Sequence, residues 1–536
     1  MRTSSPIARV SRRASIGVLL VVLLSSPRPV MAQSGHSDAV PPTVAETYEH
    51  VYAEVMALAA MPDRGAEVDG LVLRRDVGTL RLERGSLFLL SPIGDRTVAA
   101  AFVGQGTFSF APSSEIEQER LRQFHDVNVL EKPFNEVVLF FADSTLEELE
   151  TRLSFGPMDV PRRIRSVIKE SLEFLGDDDH QSFDVDVMSS LLNGDRSGVF
   201  YAHIRQRGDP LMFAITPDRV EGVRLLMRAT QVVARKREVL CQFRPASGGD
   251  LGPATSELTR YAAVRHYAIE TSLPRTGSGE VRFAAAARMD IMSRGRVGPW
   301  VAFHLYSKLE VDSARWADGE PATVFKGKES DILWVRLLRP IDSGETQTLT
   351  LHYHGDLIDR YGEWFFIKSS IAWYPRSLEG RSLSTFDLTY HSSKSYLLAS
   401  IGDLVESSEV DRVVTTHWVT PHPVRNASFN LGQFEEIEID EEGIPPVTVL
   451  YAEQGHRQLG QGGGNRGRMK ERVTTDVGKS MKFFQNVFGP PPIKRFYATE
   501  IPFGHGEAFP GLVHLSWATF YQTDQEGGDE VFRAHE

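Results

Sequence analysis

Short β-type segments separated by turn residues dominate this chain and predict a β-rich fold of several domains. Runs of alternating apolar and polar residues recur from Val68 onward, and glycine-containing turns divide them. At about 100–200 residues per domain, a chain of this length suggests roughly three domains. Apolar residues at helical spacing predict fewer elements. The main predicted helices cover 44–60, 115–124, 145–153, 161–175 and 469–488.

The predicted elements group into successive parts of a multidomain α+β chain. We predict a leader and helix over 33–62, and an N-terminal α+β domain of unknown role over 63–245. A patch rich in Pro, Ser and Gly follows that domain. Many short strands then predict a β-rich domain over 255–440, built as a sandwich or saddle-shaped sheet. Residues 441–536 predict the start of an α/β domain.

The N-terminus has the pattern of a cleavable export signal. Four arginines and no acidic residue precede the apolar run Ile16–Leu24, which is too short to span a bilayer about 30 Å thick. Val30, Met31 and Ala32 then supply the small-x-small pattern that signal peptidase recognises. We therefore expect a signal peptide over 1–32 and a periplasmic or secreted mature protein.

The composition of the mature chain excludes several classes of partner. Removal of residues 1–32 leaves 54 basic against 71 acidic residues, which argues against nucleic acid or an anionic membrane as the main partner. No later apolar stretch approaches 18 residues, so we expect no stable membrane insertion. Cys241 is the single cysteine and has no partner for an intramolecular disulfide. The oligomeric state is left open.

The last two residues, His535 and Glu536, form the first half of an H-E-x-x-H pattern. On a helix this pattern places two imidazoles one turn apart, where both can bind Zn²⁺, and the glutamate beside the first histidine can activate a water molecule. Two residues cannot hold Zn²⁺ tightly, because a zinc site needs three or four protein ligands. We therefore expect the chain to be a fragment of a longer gene product.

From about residue 260 to its end, the chain resembles the aminopeptidase-N family of zinc metallopeptidases (gluzincins). Strand segments of the β-rich part match the family's N-terminal β-domain, and the helix that ends in Phe-Gly-Pro matches the helix that opens its catalytic domain. The matching segments are 373–376, 385–389, 396–402, 428–432, 488–490 and 511–513, followed by 535–536.

This resemblance implies the truncated start of a thermolysin-like α/β catalytic domain over 441–536. It also implies a Zn²⁺ cofactor with His535 as one ligand, Glu536 as the general base, and a peptide as substrate. The family's G-A-M-E-N loop corresponds to His505, Gly506, Glu507 and Ala508, which we interpret as substrate-binding residues.

In that loop Ala508 occupies the position where the family has a glutamate that binds the substrate's α-ammonium group. Glu507 reaches the position only through a shift of one residue. The resemblance therefore implies peptide hydrolysis and leaves the choice between exopeptidase and endopeptidase activity open. The alternative is a non-catalytic, peptidase-like protein whose β-rich domains serve binding or scaffolding.

Other candidate sites have simpler structural interpretations. The acidic cluster 177–186 could bind Ca²⁺, but it lacks the spacing of a known loop, and a solvated turn is favoured. His352 and His354 share a strand face, which favours exposed sheet surface over a metal site. The Gly-rich loop 460–467 lacks the Lys-Ser/Thr of a phosphate-binding loop. The sequon at Asn426 is of a kind common by chance, and Cys241 has no nearby histidine in the sequence to activate it.

Overall fold

The structure is a computed structural model of the full chain, and the residues that it describes form one compact unit. The ranges that the structure describes are 44–176, 183–194, 198–205, 210–216, 221–228, 237–245, 262–277, 279–293, 295, 297–328, 330–361, 364–367, 371–378, 382–458, 466–502, 504–521 and 535. The predicted signal peptide, the leader and residues 460–465 of the Gly-rich loop lie outside these ranges, and the last two residues of that loop begin a helix.

The N-terminal part is an eight-stranded antiparallel sheet whose strands lie side by side in sequence order. Each strand therefore pairs with the next one along the chain. The strands are β1 (Ala60–Arg75), β2 (Gly78–Leu90), β3 (Ala99–Phe110), β4 (Leu130–Phe141), β5 (Phe200–Arg205), β6 (Leu211–Ile215), β7 (Val223–Arg228) and β8 (Arg237–Phe243). The sequence analysis missed β7 and β8, because each is a short segment between stretches of polar residues.

Two predicted breaks in these strands are wrong. Gly85 and Gly104 do not form turns but face each other across the long strands β2 and β3. A Cβ atom on Gly104 would lie 2.2 Å from the backbone oxygen of Arg84. The register shifts beside both glycines, which are therefore needed where the two backbones approach closely at a bulge.

Helices cover both faces of this sheet. Alternate side chains of β2 enter different cores, so that Phe88 and Leu90 contact one cluster while Leu87 and Leu89 contact the other. The first cluster includes side chains from α1, α4 and α5, and the second includes side chains from α2 and α3. The helices are α1 (Val44–Met56), α2 (Glu115–His125), α3 (Thr145–Arg152), α4 (Arg162–Gly176) and α5 (Phe183–Leu192). Only α5 was not predicted.

The central part begins with a seven-stranded sheet in the order β12-β15-β10-β9-β19-β22-β21. Strand β19 pairs in parallel with β9, which joins segments about 120 residues apart in sequence, with Phe386 opposite Tyr267. The strands are β9 (Ala263–Leu273), β10 (Phe283–Met292), β12 (Leu309–Trp316), β15 (Thr346–Gly355), β19 (Thr385–Ser393), β21 (Asp403–Val410) and β22 (Val413–Val419).

Two four-stranded sheets complete the central part, in the orders β13-β14-β11-β18 and β16-β17-β23-β20. The first contributes to two cores, because Trp300 and Trp334 contact the N-terminal cluster while Phe303 and Leu333 contact the central one. The strands are β11 (Trp300–His304), β13 (Val324–Lys326), β14 (Ile332–Arg336), β16 (Asp359–Tyr361), β17 (Trp364–Phe366), β18 (Arg376–Ser377), β20 (Leu397–Ser400) and β23 (Phe429–Gly432).

The C-terminal part is a five-stranded mixed sheet in the order β24-β25-β26-β28-β27. Its strands are β24 (Glu435–Ile439), β25 (Val447–Tyr451), β26 (Phe496–Ile501), β27 (Glu507–Phe509) and β28 (Leu512–Ser516). The helices beside it are α6 (Glu453–Gln458), α7 (Arg466–Phe488) and α8 (Trp517–Tyr521). The predicted multidomain α+β fold class, with a β-rich centre and an α/β C-terminal part, is confirmed. In the described ranges, no helix is both long and apolar enough to cross a membrane.

Candidate functional site

The mixed sheet positions the loop that the sequence analysis selected. Its three central strands, β25, β26 and β28, are parallel, and β27 is an antiparallel strand at one edge. One face packs against α7 through Val473 and Val477. The central strands are buried on both faces, which explains why β28 has five buried residues in a row.

Strand β27 is held by a tight turn to β28. Phe509 pairs with Leu512 across Pro510 and Gly511, and Gly511 has a φ of 81°. Proline followed by a residue with positive φ is the combination that a type II turn requires. Residues 504–510 were predicted to be a tight loop, and residues 507–509 within it form this edge strand.

The edge strand separates two of the predicted substrate-binding residues. Glu507 is opposite His514, whereas Ala508 is opposite Val513, so their side chains are on different faces of the sheet. Val513 belongs to the core beside α7. The Glu507 side chain is 10% exposed, and Ala508 is exposed.

His505 and Glu507 are brought together in the structure. The imidazole Nε2 of His505 lies 3.4 Å from the carboxylate Oε1 of Glu507, and half of the histidine side chain is exposed. Gly506, between them, is half-buried. The chain therefore carries a carboxylate on β27, contributed by Glu507, and no polar side chain at Ala508.

Of the two residues predicted for the zinc site, the structure describes only one. His535 is helical and exposed, and Glu536 lies outside the described residues. Within the described ranges, no group of three or more His, Cys, Asp or Glu side chains is arranged to hold a metal ion. The role of His535 as a zinc ligand stays a prediction.

A buried polar layer behind β27 was missed by the sequence analysis. The imidazole of His514 lies between two hydroxyl groups, at 3.1 Å from Ser428 Oγ and 2.6 Å from Thr499 Oγ1. The side-chain amide of Asn430 donates to the same Thr499 oxygen at 3.0 Å. Burial lowers the pKa of His514 to about 3, so the imidazole is neutral at physiological pH. A histidine inside an otherwise apolar strand was the available signal.

The structure accounts for the other candidate sites without a metal ion or an activated nucleophile. His354 Nδ1 contacts Asp312 at 2.9 Å, and both His352 and His354 are on an exposed strand face. Asp186, considered above as a Ca²⁺ ligand, is buried against Arg224 at 3.3 Å and is therefore neither a ligand nor part of a solvated turn. Residues 177–180 lie outside the described ranges. Burial raises the pKa of Cys241 to about 12, so it is not an activated nucleophile.

Comparison with known proteins finds similarity among solved structures. No protein-family model matches the chain, and no curated protein matches it. A mutant of a two-domain M1 zinc metallopeptidase bound to L-arginine shares 17% identity at a TM-score of 0.39, over 52% of this chain and 65% of that one. A mutant M1 zinc metallopeptidase from Deinococcus radiodurans, bound to a Tyr-Ser-Ala substrate, shares 20% identity at a TM-score of 0.36.

That second match covers 50% of this chain and 63% of the other. The M1 zinc metallopeptidase from Deinococcus radiodurans also matches without a stated mutation, with 19% identity and a TM-score of 0.35, over 49% of this chain and 62% of that one. This chain thus spans less than two thirds of each of these structures. A similarity of this degree concerns the fold and does not establish an activity.

Proposed function

We propose that this chain is part of an exported, zinc-dependent metallopeptidase that hydrolyses peptides. The observation that supports the proposal best is the edge strand β27 of a mixed sheet, in a chain that also carries the His535–Glu536 pair. Among the described strands β27 pairs with β28 alone, so its other edge is open. An extended peptide can add to such an edge through backbone hydrogen bonds.

The residues near this edge have distinct proposed roles. Glu507 and His505 supply a carboxylate and an imidazole at the strand to which the peptide would add, where the carboxylate can bind an ammonium group. His535 is proposed as one metal ligand, and Glu536 as the base that accepts a proton from the attacking water. When bound, zinc would polarise the scissile carbonyl.

Export is proposed on the sequence of residues 1–32 alone. A positively charged segment, an apolar run and a small-x-small site are the three parts of a secretory signal. The mature protein would then begin at Gln33 and act in the periplasm or outside the cell. N-terminal sequencing of the protein recovered from the periplasm and the medium tests this directly, and an intact Met1 in both would contradict it.

The decisive experiment uses the whole gene product, including whatever follows Glu536. Its zinc content is measured by mass spectrometry, and its activity on aminoacyl-nitroanilides and on internally quenched peptides. We expect Glu536→Gln to retain zinc and to lose about 10²–10⁴-fold in kcat, because a general base is removed. We expect His535→Ala to lose zinc as well.

The opposite outcome is equally informative. A gene product that binds no zinc and hydrolyses none of these peptides would contradict the peptidase proposal. Hydrolysis that survives Glu536→Gln would contradict the role of Glu536 while leaving an activity to be explained by other residues.

A further inference from the structure

A cavity of about 590 Å³ opens in the central part of the molecule, and no residue of β27 lines it. Its lining includes residues of β11 and β18, Tyr267 of β9 and Ser384, which immediately precedes β19. A volume between about 300 and 1,000 Å³ is typical of sites for small molecules. Its lining combines charged, aromatic and aliphatic side chains, which allows the chemistry of a ligand to be inferred.

One side of the cavity carries positive charge. His304 of β11 is directly opposite Arg376 of β18, so both side chains are on the same face of the sheet. Arg425 lines the same cavity and is exposed. Arg425 forms no ion pair with any residue in the described ranges. An unpaired guanidinium at a cavity wall is suited to bind a carboxylate through two parallel hydrogen bonds.

The floor of the cavity supplies a buried hydroxyl donor. Tyr374 is 2% exposed, and its hydroxyl oxygen accepts a hydrogen bond from the backbone N–H of Ala427 at 3.2 Å. In the described ranges its own hydroxyl proton has no acceptor. Burial raises the pKa of Tyr374 to about 12, so the hydroxyl stays protonated at neutral pH. A buried donor without an acceptor is a site for a ligand atom.

The hydroxyl groups of two neighbouring residues already donate hydrogen bonds to backbone oxygens. Tyr267 donates to the backbone oxygen of Pro375 at 2.7 Å, and Ser384 donates to the backbone oxygen of Val264 at 2.6 Å. Tyr374 and the guanidinium of Arg425 are two lining donors that a ligand can contact.

The charge of the lining limits the charge of the ligand. The guanidinium groups of Arg376 and Arg425 and the carboxylate of Asp331 line the cavity. The guanidinium groups attract a carboxylate, whereas Asp331 would repel each further negative charge on the ligand. Ile371 and Leu378 add apolar surface for the rest of the molecule.

We propose that this cavity binds a small monocarboxylate with an apolar or aromatic body, whose carboxylate contacts Arg425, Arg376 and the Tyr374 hydroxyl. The site is separate from the proposed peptidase site, and the inference does not depend on that activity.

The test is isothermal titration calorimetry on the full chain with hippurate (N-benzoylglycine) as the probe. Its uncharged amide, N-benzoylglycinamide, and the dianion phenyl phosphate are the comparison ligands. We expect hippurate to bind at least about ten times more tightly than either, because charge-assisted hydrogen bonds to a guanidinium contribute roughly 1.5–3 kcal/mol.

Three variants locate the binding. Arg425→Gln should weaken hippurate binding about tenfold, and Tyr374→Phe should weaken it several-fold by removing the donor. The matched control is Arg282→Gln, an exposed arginine that does not line the cavity. Because Arg425 is exposed, its replacement should leave the melting temperature unchanged, which separates lost binding from lost folding.

Four results would overturn the proposal. Equal affinity for hippurate and its amide, or no detectable hippurate binding at all, would exclude a carboxylate site. Tighter binding of phenyl phosphate would exclude the monocarboxylate assignment. Hippurate binding that Arg425→Gln leaves unchanged would place the ligand elsewhere.

Discussion

The imidazole Nε2 of His456 lies 2.6 Å from the carboxylate Oε1 of Glu500, and the two side chains are 3% and 0% exposed. The other carboxylate oxygen accepts a hydrogen bond from the backbone N–H of Ala452 at 2.8 Å. The backbone oxygen of Glu500 accepts one from Asn430 of β23 at 3.1 Å. The pair therefore lies where helix α6, strand β26 and the central β-rich part meet.

The first prediction concerns this pair. Burial raises the pKa of Glu500 although His456 and the backbone N–H of Ala452 act to lower it, so its charge is costly in this environment. We expect Glu500→Leu to lower the free energy of unfolding by about 3–5 kcal/mol, because His456 is left buried without its partner. Urea unfolding followed by tryptophan fluorescence measures this loss.

A double-mutant cycle provides the control. Replacing His456 by Leu together with Glu500→Leu should recover part of the lost stability, since neither buried polar group is then left alone. Strictly additive effects of the two substitutions would show that the residues are not coupled.

The second prediction is a pH dependence caused by His514. Its pKa is lowered to about 3 in the folded protein, against an ordinary value of 6.5, so the unfolded chain binds this proton more readily. The stabilisation is complete above pH 6.5 and is lost as the pH falls from 6.5 towards 3. Over that whole range the loss reaches up to about 5 kcal/mol.

Urea unfolding at pH 7, 6, 5 and 4 checks this dependence. We expect the His514→Gln variant to lose less stability on acidification than the unmodified chain, because it lacks the titrating group. The matched control is His352→Gln on an exposed strand face, which should leave the slope unchanged. An identical slope in the His514 variant would contradict the assignment.

The third prediction compares two glycines in neighbouring helices. A Cβ atom on Gly455 of α6 would lie 2.4 Å from the indole ring of Trp364, inside normal contact distance. We expect Gly455→Ala to lower the melting temperature, with a loss of roughly 1–3 kcal/mol, because α6 must move away from β17.

Gly478 of α7 is the control for this comparison. There a Cβ atom would meet the flexible end of the Glu441 side chain at 3.3 Å and Ile439 Cγ2 at an ordinary contact distance of 3.8 Å. Alanine has a higher helix propensity by about 1 kcal/mol, so Gly478→Ala should be neutral or stabilising. Differential scanning calorimetry of both variants measures the contrast. Equal shifts of the two melting temperatures would show that the contact between a side chain at position 455 and Trp364 does not lower the stability.

The fourth prediction addresses Glu507 in the complete gene product. If its carboxylate binds the α-ammonium group of a substrate, Glu507→Gln should raise KM about tenfold for peptides with a free N-terminus. N-acetylated peptides of the same sequence should be unaffected. Steady-state kinetics on the two peptide sets make this comparison, and Ala508→Ser is the control on the opposite face. Equal losses on both sets would indicate that Glu507 has a structural role only.

Local sequence was sufficient for elements whose neighbours along the chain decide their conformation. The apolar spacing of α7, with Val473 and Val477 on one face, predicted a helix that the structure contains almost unchanged. The Gly-Pro sequence at its end also predicted where it stops. Strand β28 was predicted over Leu512–Ser516, and in the structure all five of its residues are buried.

Features set by contacts between distant segments could not be predicted in this way. Gly85 and Gly104 were interpreted as turns, and only the pairing of β2 with β3 shows that they allow two backbones to approach. The parallel pairing of β9 with β19 has no local signal either. Loop-like residues became β27 because β28 offers an edge to which they pair.

The sequence by itself determined the fold class and most of the described helices. Only the tertiary structure decided that Glu507 and Ala508 lie on opposite faces, that His514 is neutral between two hydroxyls, and that Arg425 and Tyr374 line one cavity. The physical reason is the distance along the chain over which each effect acts. Helical periodicity and turn chemistry act over a few residues, whereas burial, pKa and cavity lining depend on segments that meet only when the chain has folded.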